Sequence, residues 1–542
     1  MSAKAELILT NGRIFTLWDE RPWASAVAVG NGRILAVGDD SIVGEFRTSE
    51  TEIVDLGGRL VIPGLTDSHN HLLYYGQTAL RWADLTGCRS MDELLDRLRA
   101  HASSSALDGV SSRPGTPPHP DPLPPGEREL RTSDWILGIR FDHEILAERR
   151  MPTREDLDKV STEKPVFIVR LCGHAVVANS KAIELAGPER LPESGRRTGI
   201  LTEDDQDPIW EKIPDPSFEQ LVEAARFAAG KARSTGITSV HALIGSMDEL
   251  NALRRLHELG ELPVRIYVQP GYGMMDKLIE EGLRTGSGDD MLRIGSAKIF
   301  ADGSMGARTA AMVDDFTDEP GNKGLLLHSD EEMTEMVRKV HRSGWQAAIH
   351  AIGDRAVEQA VDAIERVLAE TGEDNRVRRH RVEHASILSQ KLVEKMARLH
   401  VLAAVQPQFV ITDFWTMDRV GPERYRWTYP FRTLMQAGVP ISFGSDSPVE
   451  LLDAFELIHR AVTRDEHSPQ ERISVEEAIR VYALGGPYFA FQETEHGSLQ
   501  PGKFADMVVL DRDIFTIPPS EIPLCKVEAT LVGGVANPTS SA

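Results

Sequence analysis

The sequence predicts an α/β protein. The expected fold is a (β/α)8 TIM-like barrel, with a small β-sandwich domain built from both chain termini and a large insert after the first barrel strand. Three observations predict it. Eight short β-prone runs recur through the middle of the chain, most of them separated by charged, helical-looking segments. Both ends have a different texture, short strands joined by Gly, Asn and Pro turns. About 160 residues part the first run from the second, far more than one helix and its loops occupy.

Taken in order, AELILTNGRIFTL and WASAVAVGNGRILAVG are β-prone, with Asn-Gly turn signals at 11–12 and 31–32. HGSLQPGKFADMVVLDRDIF and VEATLVGGV have the same character at the far end, so 1–60 and 487–542 are expected to form one composite β domain. The barrel is expected over 61–486. Its strands are LVIPGLTDSH, GITSVHAL, VRIYVQPG, GSAKIFADG, WQAAIHAIGD, RHRVEHAS, HVLAAVQPQF and VPISFGSDSP. Segments such as DEEMTEMVRKVHRSG and DRAVEQAVDAIERVLAE supply helices between them. A doubly wound open sheet is the rival, but no GxGxxG opening supports it. The insert, 90–215, holds apolar strands of its own, WILGIRFD and PVFIVRLCGH. Within it 103–129 is so rich in Ser, Pro and Gly that a disordered surface loop is expected.

Composition narrows the function classes. Of 542 residues 41% are hydrophobic and 26% charged, the balance of a globular protein, and the net charge is −23. Nucleic acid and anionic membrane surfaces would repel such a chain, so neither is expected as a partner. The N-terminal stretch lacks the apolar core of a signal peptide, and no apolar run approaches the roughly 20 residues that span a bilayer. The three cysteines are far apart and suggest no disulfide framework or cysteine-rich metal site. A cytoplasmic location is expected.

The chemistry is expected where polar residues end apolar strands, because in such a barrel the C-terminal strand ends converge on one mouth. In order these are His69 and His71, Lys298, His350, His384 and Asp446. Imidazole and carboxylate together suit zinc or a similar divalent ion. Any one of them has an ordinary explanation. A lone histidine is commonly a satisfied core residue, and GSDSP around Asp446 would serve as a turn or helix cap. Lys298 is the anomaly, since an unpaired lysine in an apolar strand is costly. Their recurrence at one strand end after another argues for a shared site.

The segments PGLTDSHNH, KIFADGSMGARTAA, AIHAIGDRA, RVEHA, QPQF and GSDSPV resemble the amidohydrolase superfamily, in its amidohydrolase-3 or YtcJ-like branch, which includes N-substituted formamide deformylases. The resemblance runs over nearly the whole chain. It implies that Lys298 is carboxylated and bridges two divalent metal ions, with zinc as the expected metal. His69, His71 and Asp446 would hold one ion, and His350 and His384 the other. It implies hydrolysis of a C–N bond in an amide, formamide or cyclic imide, with Asp446 as general base and then general acid. A small-molecule substrate and a homodimer are expected on the same ground. His174, in RLCGHAVVANS, is a candidate for the substrate pocket, as are Asp302 and Arg308. Arg308 has a structural ion pair as its other reading, and Cys172 stands where the branch commonly has Asp. His241 is expected behind the ligands. Trp415, Tyr425 and Trp427 are candidates for the pocket wall or for ordinary packing.

Alternatives on the same site are lactone, ester or phosphotriester hydrolysis. A deaminase of this fold would carry Glu where Gly353 stands, and Lys298 also speaks against one. A non-catalytic binding or regulatory protein would be expected to have lost ligands, and all six are present.

Overall fold

The computed structural model describes residues 4–103 and 134–536. Apart from its first residue, the segment 103–129 expected as a disordered loop lies outside them. The chain forms two compact units, Met1–Leu73 with Ala225–Ala542, and Tyr74–Ala224. The insert expected at 90–215 falls within the second.

In the first unit the two chain ends build two sheets. One orders Arg33–Gly38, Ala26–Gly30, Leu7–Thr10 and Glu52–Asp55. The other runs Val535–Ala536, Val527–Val532, Met507–Leu510, Leu60–Pro63, Arg13–Phe15, Trp23–Ala24. Leu9, Val27 and Val29 of the first share a buried cluster with Ile14, Val61, Met507, Val509 and Leu531 of the second. The turn at Asn31-Gly32 is a two-residue hairpin: both residues have positive φ (52° and 72°), and Gly30 pairs with Arg33. Asn11-Gly12 does something else. It carries the chain from one sheet into the other.

Eight parallel strands follow: β1 Leu65–Asn70, β2 Ile237–Ile244, β3 Arg265–Pro270, β4 Ser296–Phe300, β5 Gln346–Ala351, β6 Arg381–His384, β7 Leu402–Val405 and β8 Ile441–Phe443. β1, β2 and β3 pair in one sheet, with Leu292–Ile294 beyond β3, and β4 to β8 pair in another. A parallel bridge from Gly271 to Lys298 links the end of β3 to β4. Across the other margin the Ser68 hydroxyl donates to Phe443 O (2.8 Å) and Asp446 N–H to His69 O (2.8 Å).

The connecting helices form for local reasons. Asp330–Arg342 opens on a capping box between Ser329 and Glu332, and buries Met333, Val337 and Val340 on one face. Asp354–Thr371 ends at Gly372 in the left-handed region.

The break at Pro63-Gly64 requires a correction. The run 60–69 is two strands, not one: Leu60–Pro63 pairs with Met507–Leu510 in the terminal sheet, and only Leu65–Asn70 joins the parallel strands. Gly64 sits between them because a Cβ there would fall 2.2 Å from the Thr238 hydroxyl.

The second unit has a five-stranded sheet ordered Ile200–Thr202, Ala175–Ala178, Val166–Arg170, Ile136–Phe141, Ala83–Asp84. The apolar runs of the insert form its centre, with Ile136 and Ile168 packed under Leu94, Leu95 and Leu98. No helix among the described residues is long and apolar enough to cross a membrane.

Candidate metal centre

β1 ends by turning polar residues inward: Asp67, Ser68, His69 and Asn70 are all fully buried. Asp67 organises this end. Its carboxylate accepts from Ser445 N–H (2.9 Å), the Ser445 hydroxyl (2.6 Å) and the Asn70 amide (2.9 Å). That fastens the loop after β8 onto β1 and brings Asp446 over the histidines. Burial raises the Asp67 pKa, with the Ser445 bonds opposing it.

Asp446 Oδ1 lies 3.3 Å from His69 Nε2 and 3.3 Å from His71 Nε2. It is buried and accepts no hydrogen bond. One ligand atom each from His69, His384 and Asp446 lie within 4.8 Å of one another. The His384 ring stands 4.8 Å from that of His69 and 4.5 Å from that of His350, measured between centroids. Lys298 Nζ is 3.5 Å from His69 Nε2. Five of the six expected ligands thus meet at one place, and His350 adjoins them through His384.

The proton positions matter. His69 Nδ1 faces the Glu383 carboxylate, which only accepts, so the ring proton sits on Nδ1 and Nε2 presents its lone pair to Asp446. His384 Nδ1 donates to Gln406 Oε1 (2.9 Å), leaving its Nε2 lone pair free in the same way. The buried Asp446 Oδ1, without a hydrogen-bond partner, thus faces the ring nitrogens of His69 and His71 with the Lys298 amine beside them. That donor set of imidazoles and carboxylate fits a divalent metal such as zinc.

Burial pushes the His384 pKa down to about 3 and lowers that of His71 despite Asp446, so both rings are neutral at neutral pH. Burial also brings the Lys298 ammonium down to about 8, against the pull of Glu383 and Asp446. Burial opposes the charge on Glu383, but Arg381 and then His69 hold its carboxyl well below the usual range.

Backbone conformation aims two of these groups. His384 and Asp446 have φ of 73° and 56°. Left-handed geometry costs about 1 kcal/mol per residue, although His and Asp accept it more readily than most. It turns His384 back towards His69, to which Glu383, its chain neighbour, also points.

The remaining candidates have partners of their own. Asp302 accepts from the N–H groups of Ala311 (2.9 Å), Ile352 (3.0 Å) and Gly353 (2.9 Å), and so ties the loop after β4 to that after β5. His350 Nε2 donates to Gly303 O (3.0 Å) in that loop. Arg308 directs its guanidinium to Asp318 (2.7 Å) and Glu319 (3.5 Å), the ion pair that was its other reading. His174 belongs to the second unit, where Nδ1 meets Glu203 Oε2 at 2.9 Å. His241 takes the Arg381 guanidinium on Nδ1 (2.9 Å). Trp415 and Tyr425 pack in a buried cluster with Met305 and Phe316. The sequence reading missed Glu383, Arg381 and Asp67. RVEHA displays the first two, but nothing in it names their partners.

Comparison with known proteins agrees with this chemistry. The chain is 30% identical to the putative amidohydrolase YtcJ of Bacillus subtilis, over 96% of this chain and 97% of that one. It is 26% identical to the N-substituted formamide deformylase of Arthrobacter pascens, over 99% and 98%. A crystal structure of an uncharacterised metal-dependent hydrolase from Pyrococcus horikoshii OT3 matches with a TM-score of 0.76 and 30% identity, covering 95% of this chain and 99% of that one. The family's pattern extends over residues 52–536, nearly the whole length on which these strands and loops are built. This chain therefore belongs to the amidohydrolase family and is a metal-dependent hydrolase.

Proposed function

We propose that this hydrolase cleaves a C–N bond of a small amide, formamide or cyclic imide, with Asp446 as the proton-transfer group. The observation that carries the reading is the convergence of His69 Nε2 and His71 Nε2, each at 3.3 Å, on a buried Asp446 Oδ1 that has no hydrogen-bond partner. His69, His71 and Asp446 would hold one divalent ion and His350 and His384 a second, with a carboxylated Lys298 completing the two-metal site. Zinc suits these donors. The eight parallel strands fit a closed barrel with this site at its mouth, and the two terminal sheets fit a sandwich.

A divalent ion bound there supplies Lewis acidity to the substrate carbonyl and lowers the pKa of water towards about 7. The protein supplies the rest. Asp446 accepts the proton of the attacking water and delivers it to the departing nitrogen. His71, about a third exposed at its side chain, stands on the open side of the cluster, so substrate approaches from there. Burial keeps part of the Lys298 amine neutral, and the neutral amine adds to carbon dioxide, forming an N–C bond and releasing a proton.

The test is a hydrolysis screen of N-formyl and N-acyl amines, cyclic imides, esters and lactones with metal-loaded protein. Asp446→Asn is expected to lower kcat by about 10²–10⁴-fold on any substrate found, while much of the metal stays bound. Undiminished turnover in that variant refutes the proton-transfer role. Fewer than one divalent ion per chain after metal-supplemented growth refutes the metal reading.

A further inference from the structure

We propose that Glu383, held by Arg381, is a positioning residue that fixes the tautomer and orientation of His69 for metal binding. The proposal rests on the metal reading above. Arg381 and Glu383 lie two apart on β6, so both point to the same side, and both are completely buried. The guanidinium donates to both Glu383 oxygens, to His241 Nδ1 (2.9 Å) and to Ser68 O (2.6 Å). Ser68 is the residue before His69. One arginine thus anchors the backbone leading into His69 and the carboxylate that takes its Nδ1–H.

Glu383 is not itself placed as a ligand. Oε1 is taken by Arg381, and Oε2 by Arg381 and His69, so neither oxygen is turned towards Asp446. Stability does not explain the pair either. A buried ion pair loses so much hydration that well-packed apolar residues of similar volume do as well or better. What apolar residues cannot do is accept the Nδ1 proton. Without an acceptor, the imidazole is free to carry its proton on Nε2, which removes the lone pair that faces Asp446. Carboxylates behind metal-bound histidines typically contribute 10–100-fold to metal affinity.

The experiment compares cobalt(II) binding, by chelator competition and visible absorption, in wild type, Glu383→Gln and the apolar double variant Arg381→Met/Glu383→Leu. The expected result is a loss of affinity of about 10–100-fold in the double variant with an altered cobalt spectrum, and a smaller loss in Glu383→Gln, whose amide oxygen can still accept from His69 Nδ1. The double variant also takes the Arg381 donor from Ser68 O and His241 Nδ1, so it is expected to unfold at a lower denaturant concentration than wild type in the metal-free state. Wild-type affinity and spectrum in the double variant overturn the proposal while leaving the metal reading intact. Failure of wild type to take up cobalt overturns the metal reading, and this proposal with it. Should neither variant fold, NMR of histidine-labelled, metal-free wild type decides the matter: His69 protonated on Nδ1 supports the proposal, and on Nε2 overturns it.

Discussion

Adding one methyl group at Gly444 should cripple the proposed metal centre without replacing any residue proposed to hold the ion. Gly444 follows β8 where that strand meets β1. A Cβ there would fall 2.7 Å from His69 Cβ, 2.7 Å from His69 N and 3.1 Å from His69 Cα. Ordinary contact begins near 3.4 Å, so the strand ends must part by about 0.7 Å. Neither side can yield freely. Ser445 N–H is bonded to Asp67 (2.9 Å) and Asp446 N–H to His69 O (2.8 Å), so separating the backbones stretches the bonds that hold Asp446 in place. Overpacking of this kind costs about 1–3 kcal/mol. Displacing catalytic groups by about 1 Å costs up to 10²-fold in rate. Gly444→Ala is expected to fold, to lose about 1–3 kcal/mol in denaturant unfolding of the metal-free protein, and to bind zinc more weakly by chelator competition. Gly230→Ala is the control. It lies in the helix Phe218–Ser234 with nothing within 4 Å of the added methyl, and should gain up to about 1 kcal/mol. Wild-type stability and zinc affinity in Gly444→Ala would refute the reasoning.

Other substitutions separate scaffold from site. Asp67→Ala strips the acceptor from Ser445 and Asn70 and should cost about 2–4 kcal/mol with loss of metal; retention of both in unfolding and metal titrations would contradict its organising role. Arg308→Ala breaks a pair whose side chains are 29% and 25% exposed and should change stability by about 1 kcal/mol or less, with zinc affinity unchanged; a large loss of zinc affinity would place Arg308 in the site after all. Burial pushes His380 down to about 3 from an ordinary 6.5, with His341 and Arg378 adding to it. Protonation therefore favours the unfolded chain: its contribution is full above about pH 6.5 and is lost as pH falls towards 3, by up to about 1.4 kcal/mol per unit. Unfolding midpoints at pH 7.5 and 5.5 should converge less in wild type than in His380→Gln, and equal losses in the two would refute this.

The residues that cluster at the candidate centre were legible because polar groups interrupt otherwise apolar strands there. Lys298 between Ala297 and Ile299 is conspicuous for that reason, and its burial follows. Asn31-Gly32 was legible because a two-residue hairpin demands positive φ twice. Other features have no local signature. Leu60–Pro63 and Leu65–Asn70 form one extended run, and only the close approach of Thr238 to Gly64 shows that they serve different sheets. Glu383 is indistinguishable from a solvated strand-end charge until His69, 314 residues away, is set beside it. The alternation rule also fails where it matters most. It sends Glu383 and His384 to opposite faces, yet positive φ at His384 brings both to His69. Asp302 was legible as a polar residue near Lys298, but its backbone partners come from a loop some fifty residues on.

The bond from Ser445 to Asp67 joins residues 378 positions apart, and Leu60–Pro63 is flanked by a strand that begins at Met507. This imposes an order of assembly. During synthesis the first histidines leave the ribosome long before the carboxylate that faces them, and Leu60–Pro63 gains its neighbour Met507–Leu510 in the terminal sheet later still. Closing so distant a pair is slow, because the entropy of the intervening chain is lost before the contact repays it. A nascent chain would hold His69 and His71 exposed and open to whichever metal arrives, with the selective donor set completed only at the end. On the proposed metal reading, metal choice would be tied to the timing of folding, and refolding from denaturant with metal present from the start should give a different metal occupancy from loading after folding is complete.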